Sequence, residues 1–204
     1  KGYFWERGFV SPYMVTNVEN GNKAILTDCP VIVTDRYMNL NKDLMQTLNE
    51  LKTQGHEKAL VIVDRCEGEL LESLILNKAK GIFTCVVVQK PGSLDELEDI
   101  AAVTGATAIT KDKGIKMITA QHVGRAKKVV VEEGKTTIIA DENPEVVKRL
   151  SAIDEELKEV KKKKGEIDEL LVTRKAKLAD GVVILRVGAK TEAERKYKKD
   201  KLDD

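Results

Sequence analysis

Two kinds of apolar pattern alternate along this chain. Ala59-Leu60-Val61-Ile62-Val63 and Phe83-Thr84-Cys85-Val86-Val87-Val88 are near-continuous apolar runs, as expected of strands covered on both faces. Pro30-Val31-Ile32-Val33-Thr34 and Ala24-Ile25-Leu26 read as strands around a Thr27-Asp28 turn, and Ala108-Ile109-Thr110 as another strand. Val129-Val130-Val131 and Thr136-Thr137-Ile138-Ile139-Ala140 flank Glu132-Glu133-Gly134-Lys135 and predict a hairpin. Between the runs the spacing changes to three and four. Leu40, Leu44, Leu48 and Leu51 form one helical stripe with Met45 displaced to its side, and Gly55 stops it. In Glu67 to Asn77, Leu70 and Leu74 share one line, Leu71 and Ile75 the next, and Leu76 falls well off both.

Ser93 is placed to cap a helix carrying Leu94, Leu97, Ile100 and Ala101, with Glu96 completing a capping box and Gly105 closing it. From Pro144, Val147, Leu150, Ile153, Leu157 and Val160 recur at helical spacing, as do Ile167, Leu170, Leu171, Arg174 and Leu178. Lys161 to Gly165 separates the two, which predicts an antiparallel helical hairpin with Glu and Lys outside. Asp180-Gly181 then turns into a strand, Val182 to Val187, and a charged helix runs from Glu192 to the end. The first 22 residues hold Tyr3, Phe4, Trp5, Phe9 and Tyr13, and Gly8 and Pro12 make Arg7 to Met14 irregular and extended.

Strands alternating with helices from Leu40 to Thr110 imply an α/β fold, with βαβ units and a mostly parallel sheet. The flanking hairpins suggest an additional antiparallel layer, giving a layered β/β/α arrangement. A small domain buries one stripe of a surface helix, so Leu71, Ile75 and Leu76 are candidates for exposed aliphatics and hence for an interaction surface. The pattern alone leaves open that all five apolar residues of that helix are core.

Composition narrows the function classes. The 204 residues carry 35 basic and 34 acidic side chains, a net charge of +1, which gives no reason to expect nucleic acid or an anionic membrane. No apolar run approaches the roughly 18 residues of a membrane span, and the N-terminus has no signal-peptide pattern. Cys29, Cys66 and Cys85 are odd in number and widely spaced, and read as inert thiols in a reducing compartment. A first residue other than Met and a charged, helix-like end at Asp203-Asp204 suggest a piece of a longer polypeptide.

No nucleophile elbow, phosphate loop, dinucleotide fingerprint or zincin motif occurs. His56 and His122 lie outside ligand spacing with Cys or Asp, so no metal site is expected. His122, among small residues and Gly124, leaves open a phosphocarrier-like enzyme domain, and the charged hairpin leaves open a scaffold that mediates assembly. The lysines at 161–164 read as a solvated helix end. The lack of catalytic motifs favours a binding module.

At Arg7-Gly8-Phe9-Val10-Ser11-Pro12-Tyr13-Met14 the chain resembles the group I chaperonins, the GroEL type. The similarity continues through Glu67-Gly68-Glu69 to Asn77, Asp99-Ile100-Ala101 with Thr104-Gly105, Thr136 to Ile139, Leu178 to Val182, Val187-Gly188-Ala189 and Thr191-Glu192. The resemblance implies an apical domain over residues 1–182 and a segment returning to an intermediate domain over 183–204. It implies a chaperone that binds non-native polypeptides and a co-chaperonin lid, in the cytoplasm or an organelle matrix. By position the binding residues would be Phe9, Tyr13, Met14, Met45, Leu48, Leu71, Ile75, Leu76 and Asn77. Arg7 and Glu192 would contact neighbouring subunits of a homo-oligomeric ring. Asp204 would be the ATPase aspartate, inactive here for want of a nucleotide pocket, with ATP and Mg belonging to the full-length parent. The stretch after Pro91-Gly92 departs from the family pattern and is shorter, which affects the edge of the binding groove.

Overall fold

The aliphatic runs form the centre of a six-stranded mixed sheet in the computed structural model, which describes residues 2–18, 21–40, 42–165 and 168–180. In chain order the elements are β1 (Gly2–Trp5), β2 (Ala24–Val33), β3 (Tyr37–Met38), α1 (Lys42–Thr53), β4 (Lys58–Val63) and β5 (Arg65–Cys66). There follow α2 (Gly68–Ala79), β6 (Thr84–Gln89), α3 (Leu94–Thr104), β7 (Gly124–Val131), β8 (Thr136–Ile139), α4 (Pro144–Lys164) and α5 (Glu169–Asp180). The sheet order is β1-β8-β7-β2-β4-β6, and β3 pairs with β5 in a separate two-stranded ribbon. The protein is an α/β domain. β2, β4 and β6 run parallel, while β2–β7, β7–β8 and β8–β1 are antiparallel. Leu60 to Val63 and Val86 to Val88 are wholly buried, as unbroken apolar runs require.

The antiparallel strands extend the same sheet that holds the parallel ones. The Thr27-Asp28 turn is absent. β2 runs straight through, keeping one register on β7 from Ala24↔Val131 to Val31↔Gly124, and absorbs Asp28 at φ +49°. Asp28 tolerates that left-handed backbone better than most residues do, and its carboxylate meets Arg125 Nε at 3.1 Å. Ala108 to Thr110 makes only a single parallel bridge, Thr34↔Ile109.

Arg7 to Met14 is irregular, with one bridge at Phe9 and the 3-10 turn Pro12–Met14, and the residues before it form β1. Tyr3 and Trp5 are buried on β1, the outer strand beside β8. A few residues later Phe9 bridges Val88 of β6, the strand at the opposite edge. Since the four residues from Trp5 to Phe9 span at most about 14 Å, the sheet curls until its two edges nearly meet. Trp5 Nε1 donates to the Gln89 carbonyl at 2.8 Å across that gap. Gly8 is needed there, because a Cβ would lie 2.0 Å from the Glu132 carbonyl oxygen.

The helices begin and end where local chemistry directs. Ser93 Oγ accepts from Glu96 N–H at 3.2 Å, and Gly105 takes φ +74° at the far end of α3. Leu40 lies outside α1 and is 65 % exposed. On α4 the inward residue is Val146, with Val147 exposed, because the helix starts at Pro144 with its stripe turned one residue. The lysines at 161–164 form the last turn of α4, and Gly165 at φ +66° ends it. Ile167, the strand from Val182, the helix from Glu192 and the boundary at 182/183 lie outside the described residues.

Candidate functional site

α1 and α2 are the crossovers of two successive βαβ steps taken in the same direction, so right-handed connections set them side by side on one face. α1 buries Leu44, Thr47, Leu48 and Leu51 and leaves Met45 half-buried at the side. α2 buries Leu70 and Leu74, half-buries Leu71 and Ile75, and leaves Leu76 at 52 % exposure. Its start is tied by Leu70 N–H donating to the Asn39 carbonyl at 3.1 Å. Gly68 stands at φ +70° where a Cβ would meet Asn39 Oδ1 at 2.4 Å. At its end Gly81, φ +70°, turns the chain back so that Ile82 N–H donates to the Asn77 carbonyl at 2.9 Å.

Between the helices lies a trough. Its wider part, about 460 Å³, is lined by Leu40, Met45, Gln46, Asn49, Leu70 and Ser73 among others. A narrow part of about 30 Å³ continues past Met45 and Asn49 to Leu48, Leu74, Asn77 and Ile82. Leu48, Leu70 and Leu74 are buried and form its base, while Leu40 and Ile82 (65 % and 42 % exposed) stand at its two ends.

Of the residues expected to bind, the trough gathers Met45, Leu48 and Asn77. Leu48, at 4 % exposure, belongs to the core stripe of α1 and can offer only its outermost atoms. Met14 is 1 % exposed and its sulfur accepts from Val87 N–H at 3.2 Å, so it supports the sheet from beneath and presents no surface; this corrects its expected role. Tyr13, 71 % exposed, sits in the 3-10 turn Pro12–Met14, which packs against α2. Phe9 is half-buried beside β6. Phe9, Tyr13, Leu71, Ile75 and Leu76 are absent from the lining of the trough, although the last three stand on α2, one of its walls. Sequence reasoning missed Leu40, Ile82, Gln46, Asn49 and Ser73. The helical spacing takes Leu40 into the α1 stripe, and Ile82 carries no periodic signal because a glycine turn delivers it.

The remaining candidates do not assemble into a second centre. Arg7 is exposed and makes no ion pair among the described residues, its Nη1 lying 3.4 Å from the Glu6 carbonyl oxygen. Glu192 and Asp204 lie outside the described residues. His122 is half-buried, with Nδ1 accepting from Thr119 N–H at 3.2 Å. His56 borders a polar hollow of about 330 Å³ shared with Asp28, Lys58 and Arg125. Burial pushes the Cys29 thiol up to about 12 and the Cys66 thiol up to about 11, and raises Cys85 as well. Among the described residues no three His, Cys, Asp or Glu side chains converge on a metal position. Nor is any helix there long and apolar enough to cross a membrane. No protein-family model matches the chain.

Proposed function

We propose that this chain holds non-native polypeptide, and an apolar loop of a lid partner, on the face formed by α1 and α2. The trough between those helices is the observation that carries the reading. Its base is apolar, Lys42, Glu69 and Lys52 stand on its rim, and Gln46, Asn49 and Asn77 can hydrogen-bond a peptide backbone whatever its side chains. From Lys42 to Lys52, α1 offers about 15 Å of wall, enough for four or five residues of extended chain. Burial of apolar side chains, worth about 25 cal/mol per Å², makes such binding tolerant of sequence, and the flexible Met45 can repack against different occupants.

The resemblance to group I chaperonins agrees with this reading and extends it. In the parent, ATP and Mg would act outside these residues, and a homo-oligomeric ring would lift the domain from client to lid in the cytoplasm or an organelle matrix. The fragment alone would hold clients without nucleotide and without being an enzyme.

Aggregation of a chemically unfolded enzyme, followed by light scattering, tests the proposal. The chain should suppress scattering without ATP, and Met45→Ser combined with Ile82→Ser should abolish most of that effect while the melt stays near wild type. Full suppression by the double variant would remove the trough from the function. Phosphate label taken up on His122 would replace the holding role by an enzymatic one.

A further inference from the structure

Asp99 is wholly buried on α3 and receives five hydrogen bonds from three other elements. Tyr3 Oη of β1 donates to Oδ2 at 3.0 Å. Arg149 of α4 donates to Oδ1 from Nε and Nη2, at 3.0 and 2.7 Å. Arg174 of α5 donates from Nε to Oδ2 at 2.8 Å and from Nη2 to Oδ1 at 3.0 Å. Burial opposes the charge of Arg174, but its bonds to Asp99 outweigh that and raise its pKa. Burial, and then the Asp99 carboxylate, hold the Tyr3 phenol well above its ordinary value, so it stays a donor.

The hairpin α4–α5 is also tied to α3 by Arg149 Nη2 on the Asp95 carbonyl at 3.1 Å, by Arg174 Nη1 near Asp95 Oδ2 at 3.8 Å and by Asn143 Nδ2 on the Ala102 carbonyl at 2.9 Å. Its fully buried apolar residues are Val146, Ile153, Leu171 and Leu178. It packs on α3 and β1, whereas α1 packs on the turn at residues 120–122 and α2 on β6 and the Pro12–Met14 turn. Lys177 of α5 places Nζ 5.4 Å from the Tyr3 ring and 4.8 Å from the Phe4 ring. Successive residues of a strand point to opposite faces, so an ammonium near both rings sits beside the strand and not over one face alone. Among the described residues β1 pairs with β8 alone, and α5 packs on β1. A bare strand edge invites pairing with another chain, and a covering helix is one way of blocking it.

We propose that the α4–α5 hairpin is a latch over the open edge of the sheet, locked by Asp99, and that it opens as one unit while the α1–α2 face stays folded. Because a buried charge is tolerated only with its partners in place, losing the carboxylate strands the buried Arg174 guanidinium and takes from Arg149 the partner that the two helices share, so both helices release at once. Opening uncovers β1 to a second copy of this chain. The inference does not depend on what the trough binds.

Amide hydrogen exchange followed by mass spectrometry on the intact chain tests it, with size-exclusion chromatography alongside. In Asp99→Asn, exchange in α4 and α5 should rise about tenfold or more, exchange in α1, β4 and α2 should stay near wild type, and self-association should appear. Arg149→Gln removes a partner whose side chain is 28 % exposed, and supplies the same comparison should Asp99→Asn fail to fold. Exchange that is unchanged in the hairpin, or that rises equally in α1 and α2, overturns the latch. Hairpin release without self-association overturns its role as an edge guard.

Discussion

Leu74 and Leu76 lie two positions apart on α2 and have opposite fates. Leu74 is 2 % exposed and packs into the core, while Leu76 is 52 % exposed. Leu74→Ala should cost about 2–5 kcal/mol as a core cavity. Leu76→Ser should change stability by no more than about 0.5 kcal/mol, while weakening capture of an apolar peptide if the patch beside the trough contributes. Denaturant melts and peptide titrations on both variants check this; equal destabilisation would make the whole helix core. Between these extremes Leu71 and Ile75 are half-buried, so serine at either should give an intermediate loss.

At the scale of elements, Asn143 joins two helices that the sequence treats separately. Its Oδ1 accepts from Glu145 N–H at 3.0 Å and caps α4, while its Nδ2 donates to the Ala102 carbonyl near the end of α3 at 2.9 Å. Asn143→Ala loses both bonds and should cost about 1–2 kcal/mol. Asn143→Asp keeps the cap and loses the donor, so urea denaturation should place it between alanine and wild type. A melt for Asp no better than that for Ala would assign the stabilisation to the α3 contact. The α1 and α2 termini follow similar local rules, with Gly55, Gly68 and Gly81 in left-handed conformations that direct the chain into and out of the trough walls.

For the molecule as a whole, the three buried thiols tie stability to alkaline pH. They ionise near 9 when solvated, whereas in the fold Cys66 and Cys29 hold their protons to about 11 and 12. Below about pH 9 both states keep these protons, and the contribution is intact. Above it the unfolded chain releases protons that the folded chain retains, so stability falls as pH rises, by up to about 1.4 kcal/mol per thiol per pH unit, until the folded thiols titrate. Urea midpoints at pH 7.5 and 10 should show the loss, and Cys29→Ala should reduce it; an unchanged slope in that variant would refute the linkage.

Much of the architecture was legible because it is local. Unbroken runs such as Ala59–Val63 require burial on both faces, and a Ser93 or a Gly105 terminates a helix through its own chemistry. The α2 wheel likewise separated Leu70 and Leu74 from Leu76 without knowledge of any neighbour. What the sequence could not determine depends on which distant segments meet. Phe9 on β6, with Trp5 reaching across to Gln89, curls the sheet through pairings some 80 residues apart that no periodicity encodes. The resemblance alone assigns Met14 to the binding face, and a short turn has no stripe to reveal that its sulfur faces Val87. Leu40 and Ile82 became the ends of a trough, and Asp99 became a junction of four elements, only through tertiary packing. Periodicity reports which side of an element is apolar, whereas long-range contact decides what that side meets.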